Sequence, residues 1–268
     1  MKFILRRKKN ERINKRISVG GGYKVPSWST GTDAKIVEAV AMADRGEIDL
    51  TDYWAVGDER TVHLSAMAAT GVGESHVEQD VTLVLMDTTC TGFTLAEATA
   101  GGKTKPSFIV GMKNSLAEAG YMNSTRTNTD GWSGCARRTW CNDVFRAAIP
   151  ESLRGVFKQF KWKQGQGGDT TSGLLETTDY FGLTPEKAIF GNAKYSFADE
   201  AALYEQWTWY KTALNRIKKR GDAGSSGDWW ECSPESNSST SFCIVYSAGT
   251  EYYYTADYTR GLSPFGCI

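Results

Sequence analysis

One stretch, DVTLVLMDTT at residues 80–89, limits what this chain can fold into more than any other. Val81, Leu83, Val84, Leu85 and Met86 form a compact apolar run between polar residues, the pattern of a central strand. The surrounding composition agrees: 28 glycines, six prolines and many Thr, Ser and Tyr favour short strands joined by turns over a helical bundle. In WAVGDERTVHLSAM, Val62 and Leu64 point one way and Thr61 and His63 the other, which reads as a second strand with His63 on its exposed face. GVFKQFKWKQ places Val156, Phe160 and Trp162 on one side, and the glycine-rich GQGGDTTSG turns it back into LLETTDYFGLT as a hairpin. SFCIVYSAG and EYYYTADYT read as a closing strand pair.

Helices are fewer. Asp33 is the expected N-cap of AKIVEAVAMADRG, with Ile36, Val37, Val40, Ala41 and Ala43 or Asp44 along one stripe and Gly46 as the stop. DGWSGCARRTWCNDVFRAAIP is expected to be helical up to Pro150, with Ala136, Trp140, Val144 and Ala147 or Ala148 facing inward. ADEAALYEQWTWYKTALNRIKKRG has the propensity and the basic end of a long helix, although its Trp-x-Trp-Tyr centre leaves the middle open. The fold class expected is therefore α+β, a mixed domain of short strands and two or three helices. The parse is a basic extended arm at 1–24, a linker and short helix at 25–50, and one domain over 51–268.

The net charge of zero hides an asymmetry. Residues 1–24 carry nine Lys or Arg against Glu11 alone, which leaves 22 basic and 30 acidic residues, a net charge of about −8, on the rest. Arg6, Arg7, Lys8, Lys9, Arg12, Lys15 and Arg16 form the dense part of this arm, expected to dock on an acidic protein surface or on nucleic acid. Phe3-Ile4-Leu5 precedes the charges rather than following them, so the start does not read as a cleaved signal peptide. No run approaches the roughly 20 apolar residues of a membrane span.

Chemistry-bearing motifs are sparse. Phosphate loops, HExxH helices and EF-hand loops do not occur in the sequence. His63 and His76 have no recognisable nucleophile and carboxylate beside them, and Glu176 with Asp179 is the sort of acidic pair that 31 scattered acids make by chance. The six cysteines, Cys90, Cys135, Cys141, Cys232, Cys243 and Cys267, include no Cys-x-x-Cys pair and lack zinc-ligand spacing. No catalytic residue, metal or cofactor is expected.

The most specific feature is the tail, GDWWECSPESNSSTSFCIVYSAGTEYYYTADYTRGLSPFGCI. Rigid aromatics interleaved with small hydroxyl and amide side chains are the composition of recognition surfaces, because they give contact area at little entropic cost. Trp132, Trp140, Trp229 and Trp230 are expected in the core. Asn237, Ser238, Ser239, Tyr252, Tyr254, Asp257 and Tyr258 are the ligand-binding candidates, with Tyr253 pointing opposite to Tyr252 and Tyr254.

As a spacing, the tail is WWxxSP, then FxxVxxxG, then RGLSPFGCI, preceded upstream by YWAVGDERTVHLS, VTLVLMD and GWSGCARRTWC. Over about residues 53–268 this combination resembles a family of uncharacterised domains of phages, prophages and gut Firmicutes. The tail order is also similar to the C-type-lectin-like domains of formylglycine-generating and retroelement-diversified binding proteins. That resemblance implies a C-type-lectin-like fold with Trp229, Trp230 and the terminal strands inside and the ligand displayed on nearby loops. The Glu-Pro-Asn calcium and sugar signature of true lectins is missing, and nothing in the sequence establishes the paired reactive cysteines of the enzyme branch.

The function expected is that of a phage virion protein, in a capsid or tail decoration role. It would bind a host-surface glycan or protein through the lectin-like body and attach to other virion proteins through the arm, as an oligomer. It would be made in the host cytoplasm and displayed on the virion surface. The alternatives are a formylglycine-generating-like enzyme and a cytosolic scaffold whose arm binds nucleic acid.

Overall fold

The computed structural model describes residues 23–169 and 173–268; the basic residues of the arm from Arg6 to Arg16 lie outside them. The first element, α1 (Asp33–Asp44), buries Ile36, Ala39, Val40 and Ala43, four positions on one helical face. Val37 and Ala41 fall at the margin of that stripe. The helix stops where Gly46 takes φ +76°, a left-handed conformation open to glycine at no steric cost.

Strands β1 (Glu59–Leu64) and β2 (Gln79–Asp87) pair antiparallel, with Val62 opposite Val81. In β1 Val62 and Leu64 are buried while Thr61 and His63 are exposed, as the alternation predicts. From Leu83 to Asp87, β2 is buried at every residue, which is the central-strand pattern of the apolar run. Two short strands follow, β3 (Thr94–Leu95) and β4 (Ile109–Met112).

The segment expected as one helix before Pro150 is broken. It runs as α2 (Gly131–Gly134), α3 (Ala136–Trp140), a π-turn over Cys141–Phe145 and α4 (Arg146–Ala148). The wider ring of the π-turn rotates the inward stripe to Arg137, Trp140, Cys141, Phe145 and Ala148, and Ala136 is exposed. After α5 (Glu151–Arg154), β5 (Phe160–Gly165) and β6 (Leu174–Asp179) form the expected hairpin, with Phe160 opposite Asp179.

Next come β7 (Phe181–Gly182), α6 (Glu186–Phe190) and α7 (Ala198–Ala201). The long helix expected from residue 198 ends at Ala201 and gives way to separate 3₁₀ turns at Thr208–Lys211 and Ala213–Arg216. The reason is tertiary. Tyr204, Trp207 and Tyr210 all enter the core, and a strict spacing of three drifts around an α-helix of 3.6 residues per turn, so the chain leaves the helix after Ala201, runs without regular structure through Trp207 and takes a 3₁₀ turn only at Tyr210. The chain closes with β8 (Trp229–Pro234), β9 (Ser241–Val245), β10 (Glu251–Thr255) and β11 (Phe265–Cys267).

These strands make three antiparallel sheets, of order β1-β2-β4-β11-β7, β10-β9-β8 and β3-β5-β6. The molecule is thus mixed α plus β with predominantly antiparallel sheets, and α1 is its longest helix among the described residues. One aromatic hub joins the layers: Phe265 of β11 lies within 5.6 Å, ring centre to ring centre, of Phe93, Phe160, Trp162 and Trp207. Trp132, Trp140, Trp229 and Trp230 are all buried. Residues 25–50, expected as a linker and short helix, put Val25, Trp28, Ile36 and Leu50 into the same core cluster as Ile268.

Behind the helical segment, Asp179 organises a buried polar node. Its carboxylate accepts from Trp162 Nε1 at 2.7 Å, Trp132 Nε1 at 3.1 Å, the Thr177 hydroxyl at 2.7 Å, Arg138 Nε at 2.7 Å and Asn142 Nδ2 at 3.0 Å. A buried carboxylate with this many donors is satisfied and rigid, and it ties α3, β5 and β6 to one point.

Candidate functional site

The sheet β10-β9-β8 is graded from inside to outside. Every residue of β8 and β9 is buried, whereas β10 pairs with β9 alone and leaves Tyr252 and Tyr253 46% and 37% exposed. An edge strand carrying three consecutive tyrosines on a fully buried two-strand base is a rigid support with an aromatic rim.

Neighbouring tyrosines extend the rim. Tyr195 meets Tyr253 edge-on at 5.0 Å and Tyr252 at 6.4 Å, and Tyr246, at the β9–β10 turn, lies 6.1 Å from Tyr252. The strand alternation predicts that Tyr252 and Tyr253 point apart. Instead their rings lie parallel within 7° at 5.2 Å on the free edge, a stacked aromatic pair.

At the other end of β10, Tyr254 and Tyr258 are 4.8 Å apart, and the Arg260 guanidinium sits 3.9 Å from the Tyr254 ring centre while pairing with Asp228 at 3.2 Å. Asp257 faces Arg126 at 3.5 Å. Asn237, Ser238 and Ser239 occupy the β8–β9 turn, whose backbone is fastened by Asn128: its Nδ2 donates to the carbonyls of Ser238 and Ser241 at 2.6 and 2.7 Å, and its N–H to that of Ser239 at 2.9 Å. Asn237 and Ser239 face solvent, while the Ser238 hydroxyl is spent on Thr240 inside the turn at 3.0 Å.

The candidates therefore fall into three groups along one sheet: Tyr252, the pair Tyr254 and Tyr258 with Asp257, and the Asn237–Ser239 turn. Tyr195 links the first and the last, since its carbonyl accepts the Ser236 N–H at 2.8 Å. Tyr195, Tyr246, Arg126 and Arg260 belong to the surface but are not singled out by the sequence; for Tyr195 and Arg126, far away in the chain, no local signal exists.

Beneath this surface lies a set of buried acids. Glu186 accepts the backbone N–H groups of Lys194, Tyr195 and Ser196, the last at 2.8 Å, and so fixes the loop that presents Tyr195. Glu200 accepts from Gly165 N–H at 2.6 Å and from the Ser233 hydroxyl, and burial pushes its carboxyl up to about 7. Glu231 is fully buried with no hydrogen bond to either carboxyl oxygen, and burial, reinforced by Glu186 and Glu200, raises it well above the carboxylate range. The fold therefore disfavours the charged form of Glu231.

All six thiols are free and buried. Burial raises each of them, Cys135 to about 11 and Cys232 and Cys243 well above the ordinary thiol value, so thiolate is disfavoured at every one. Among the described residues no group of three or more His, Cys, Asp and Glu is arranged to hold a metal ion. His63 pairs with Asp80 at 2.9 Å on the surface, and His76 is buried against Glu118 and Trp140. Asp179 is consumed by its five donors while Glu176 faces solvent beside Lys163, on the opposite side of β6, so the two carboxyls do not form a dyad. No helix among the described residues is long and apolar enough to cross a membrane. Comparison with protein-family models, curated proteins and solved structures returns no match.

Proposed function

We propose that this chain is a recognition domain that binds its ligand on the tyrosine rim of β10, with the Asn237–Ser239 turn alongside. One observation carries the reading: Tyr246, Tyr252, Tyr253 and Tyr258 are each more than one-third exposed and sit on or beside one edge strand backed by two fully buried strands. Exposed aromatics on an immobile base give contact area without an ordering cost, and their hydroxyls add hydrogen bonds to a polar ligand. A host-surface glycan or protein is the ligand class this chemistry suits. The mixed α plus β architecture is compatible with the C-type-lectin-like fold that the tail resembles, and the reading keeps that fold as its framework.

Within it, the chain is a phage virion protein, displayed as an oligomer on the particle surface and held to other virion proteins by the basic arm. The experiment has two parts. Cryo-electron microscopy of particles is expected to show density for this chain with β10 facing outward, and absence from every particle removes the virion role. Binding of the purified chain to host cells is expected to fall at least tenfold on Tyr252→Ala with Tyr253→Ala; retention of wild-type binding in that double variant moves the ligand away from the rim.

A formylglycine-generating-like activity is the second reading, and it requires reactive cysteines or a metal. The burial and raised thiols of Cys232 and Cys243 weigh against it. An aromatic disulfide reagent is expected to leave the native chain unmodified and to react with all six cysteines after denaturation. Rapid reaction of one or two cysteines in the native chain would restore the enzyme reading.

A further inference from the structure

A second polar recess lies away from β10, where the π-turn meets the β5–β6 hairpin. It is a groove of about 340 Å³ whose wall is Tyr180 and whose floor carries Arg138, Asn142 and Arg146. A neighbouring groove of about 380 Å³ shares Tyr180 and Gln159 with it and continues past Lys158 and Thr99. Tyr180 thus stands between two connected recesses.

The three floor residues are spaced four apart, and the i→i+5 bonding of the π-turn, where Arg146 N–H reaches the Cys141 carbonyl, brings them onto one side. Each is held differently. Arg138 is locked on Asp179, and Asn142 is locked on the strand: it accepts the Tyr180 N–H at 2.6 Å and donates to the Phe181 carbonyl at 3.1 Å. Arg146 is not locked. Its guanidinium lies 3.5 Å from the centre of the Tyr180 ring, and it has neither a hydrogen-bonded carbonyl nor a carboxylate partner among the described residues; its Nε is buried with no acceptor.

A guanidinium stacked on an aromatic ring, aimed into a groove and lacking an acceptor, on a support fixed by Asn142 and Asp179, is a preorganised half of a carboxylate site. The remaining exposed lining, the Thr139 and Thr178 hydroxyls and the Gln159 amide, makes no side-chain hydrogen bond within the described residues and matches sugar hydroxyls. Asp143 and Glu97, exposed at the rims, disfavour a multiply charged anion and favour a single carboxylate on an otherwise neutral ring. We infer that these joined grooves bind an acidic oligosaccharide, with the carboxylate of one sugar on Arg146 and the chain passing over Tyr180 and Gln159. This site does not depend on the β10 reading.

The test is calorimetric titration of the full chain with oligogalacturonate, with a neutral oligogalactose of equal length and with inorganic phosphate. Oligogalacturonate is expected to bind, more weakly as salt rises, and the neutral sugar at least tenfold more weakly. Arg146→Met and Tyr180→Ala are each expected to lower the affinity at least tenfold, while Tyr180→Phe keeps the ring and keeps binding. Melting curves confirm that each variant is folded. Equal binding of the neutral sugar, wild-type affinity in Arg146→Met, tighter binding of phosphate than of the uronate, or no binding of the uronate would each overturn the inference.

Discussion

At the scale of single residues, the buried ionisable groups divide by whether their partners are present. Asp179 has five donors, two of them indole N–H groups and one a guanidinium, so its removal leaves both indoles without an acceptor and Arg138 without its carboxylate, while Asn142 keeps the Arg138 and Phe181 carbonyls. Asp179→Ala is expected to cost about 3–5 kcal/mol, read from urea unfolding followed by tryptophan fluorescence. Glu231 is the opposite case, with no hydrogen-bond partner and a carboxyl raised by burial. The folded chain releases this proton at higher pH than the unfolded chain, which does so near the ordinary value of about 4.3, so the stability it contributes is full below that pH and is lost as pH rises through the folded value. Glu200, raised to about 7, adds a term of the same sign. The gain in unfolding midpoint of Glu231→Gln over the wild type is therefore expected to grow from pH of about 4 through 6 to 8. Neither group was legible in the sequence, because Glu231 and Asp179 look like any other acid until the fold withdraws the water around them.

At the scale of elements, legibility followed periodicity. The period-two segments, β1 and the β5–β6 hairpin, lie where their alternation places them, because a one-residue slip would turn each apolar set to solvent, whereas the β9–β10 pair forms as expected but without alternation, β9 being buried at every residue and β10 at none. The helical segments fared differently. Residues 198–221 have helical propensity, yet Tyr204, Trp207 and Tyr210 are each recruited by the core, and packing outweighs a preference of a few tenths of a kcal/mol per residue. The segment before Pro150 keeps its helical character but gains a π-turn, which carries Arg138, Asn142 and Arg146 to the Tyr180 groove. Contact between elements also sets what a strand tolerates. A Cβ on Gly182 of β7 would lie 2.6 Å from the Trp162 ring, so Gly182→Ala is expected to cost about 1–3 kcal/mol and to lower the calorimetric Tm by several degrees.

At the scale of the whole molecule, the C-terminal strand closes the core. β11 lies between β4 and β7, Phe265 joins four other aromatic rings, and the Ile268 carbonyl accepts the N–H groups of Ser107 and Phe108. Deleting residues 265–268 is expected to abolish cooperative unfolding and the near-ultraviolet circular dichroism of the tryptophans, since both neighbouring strands would be left with an open edge inside the core. A truncated chain that melts cooperatively would show that β11 is an accessory strand. By itself, the sequence determined the mixed α plus β character of the fold, the central strand at 80–89 and the aromatic tail, because alternation, apolar runs and turn residues act over a few positions. Only the tertiary structure decided which tyrosines share the rim, which acids are buried away from water and where Arg146 meets Tyr180. Those properties depend on residues far apart in the chain, Tyr195 with Tyr253 and Asp179 with Trp132, and on how much water the fold excludes between them.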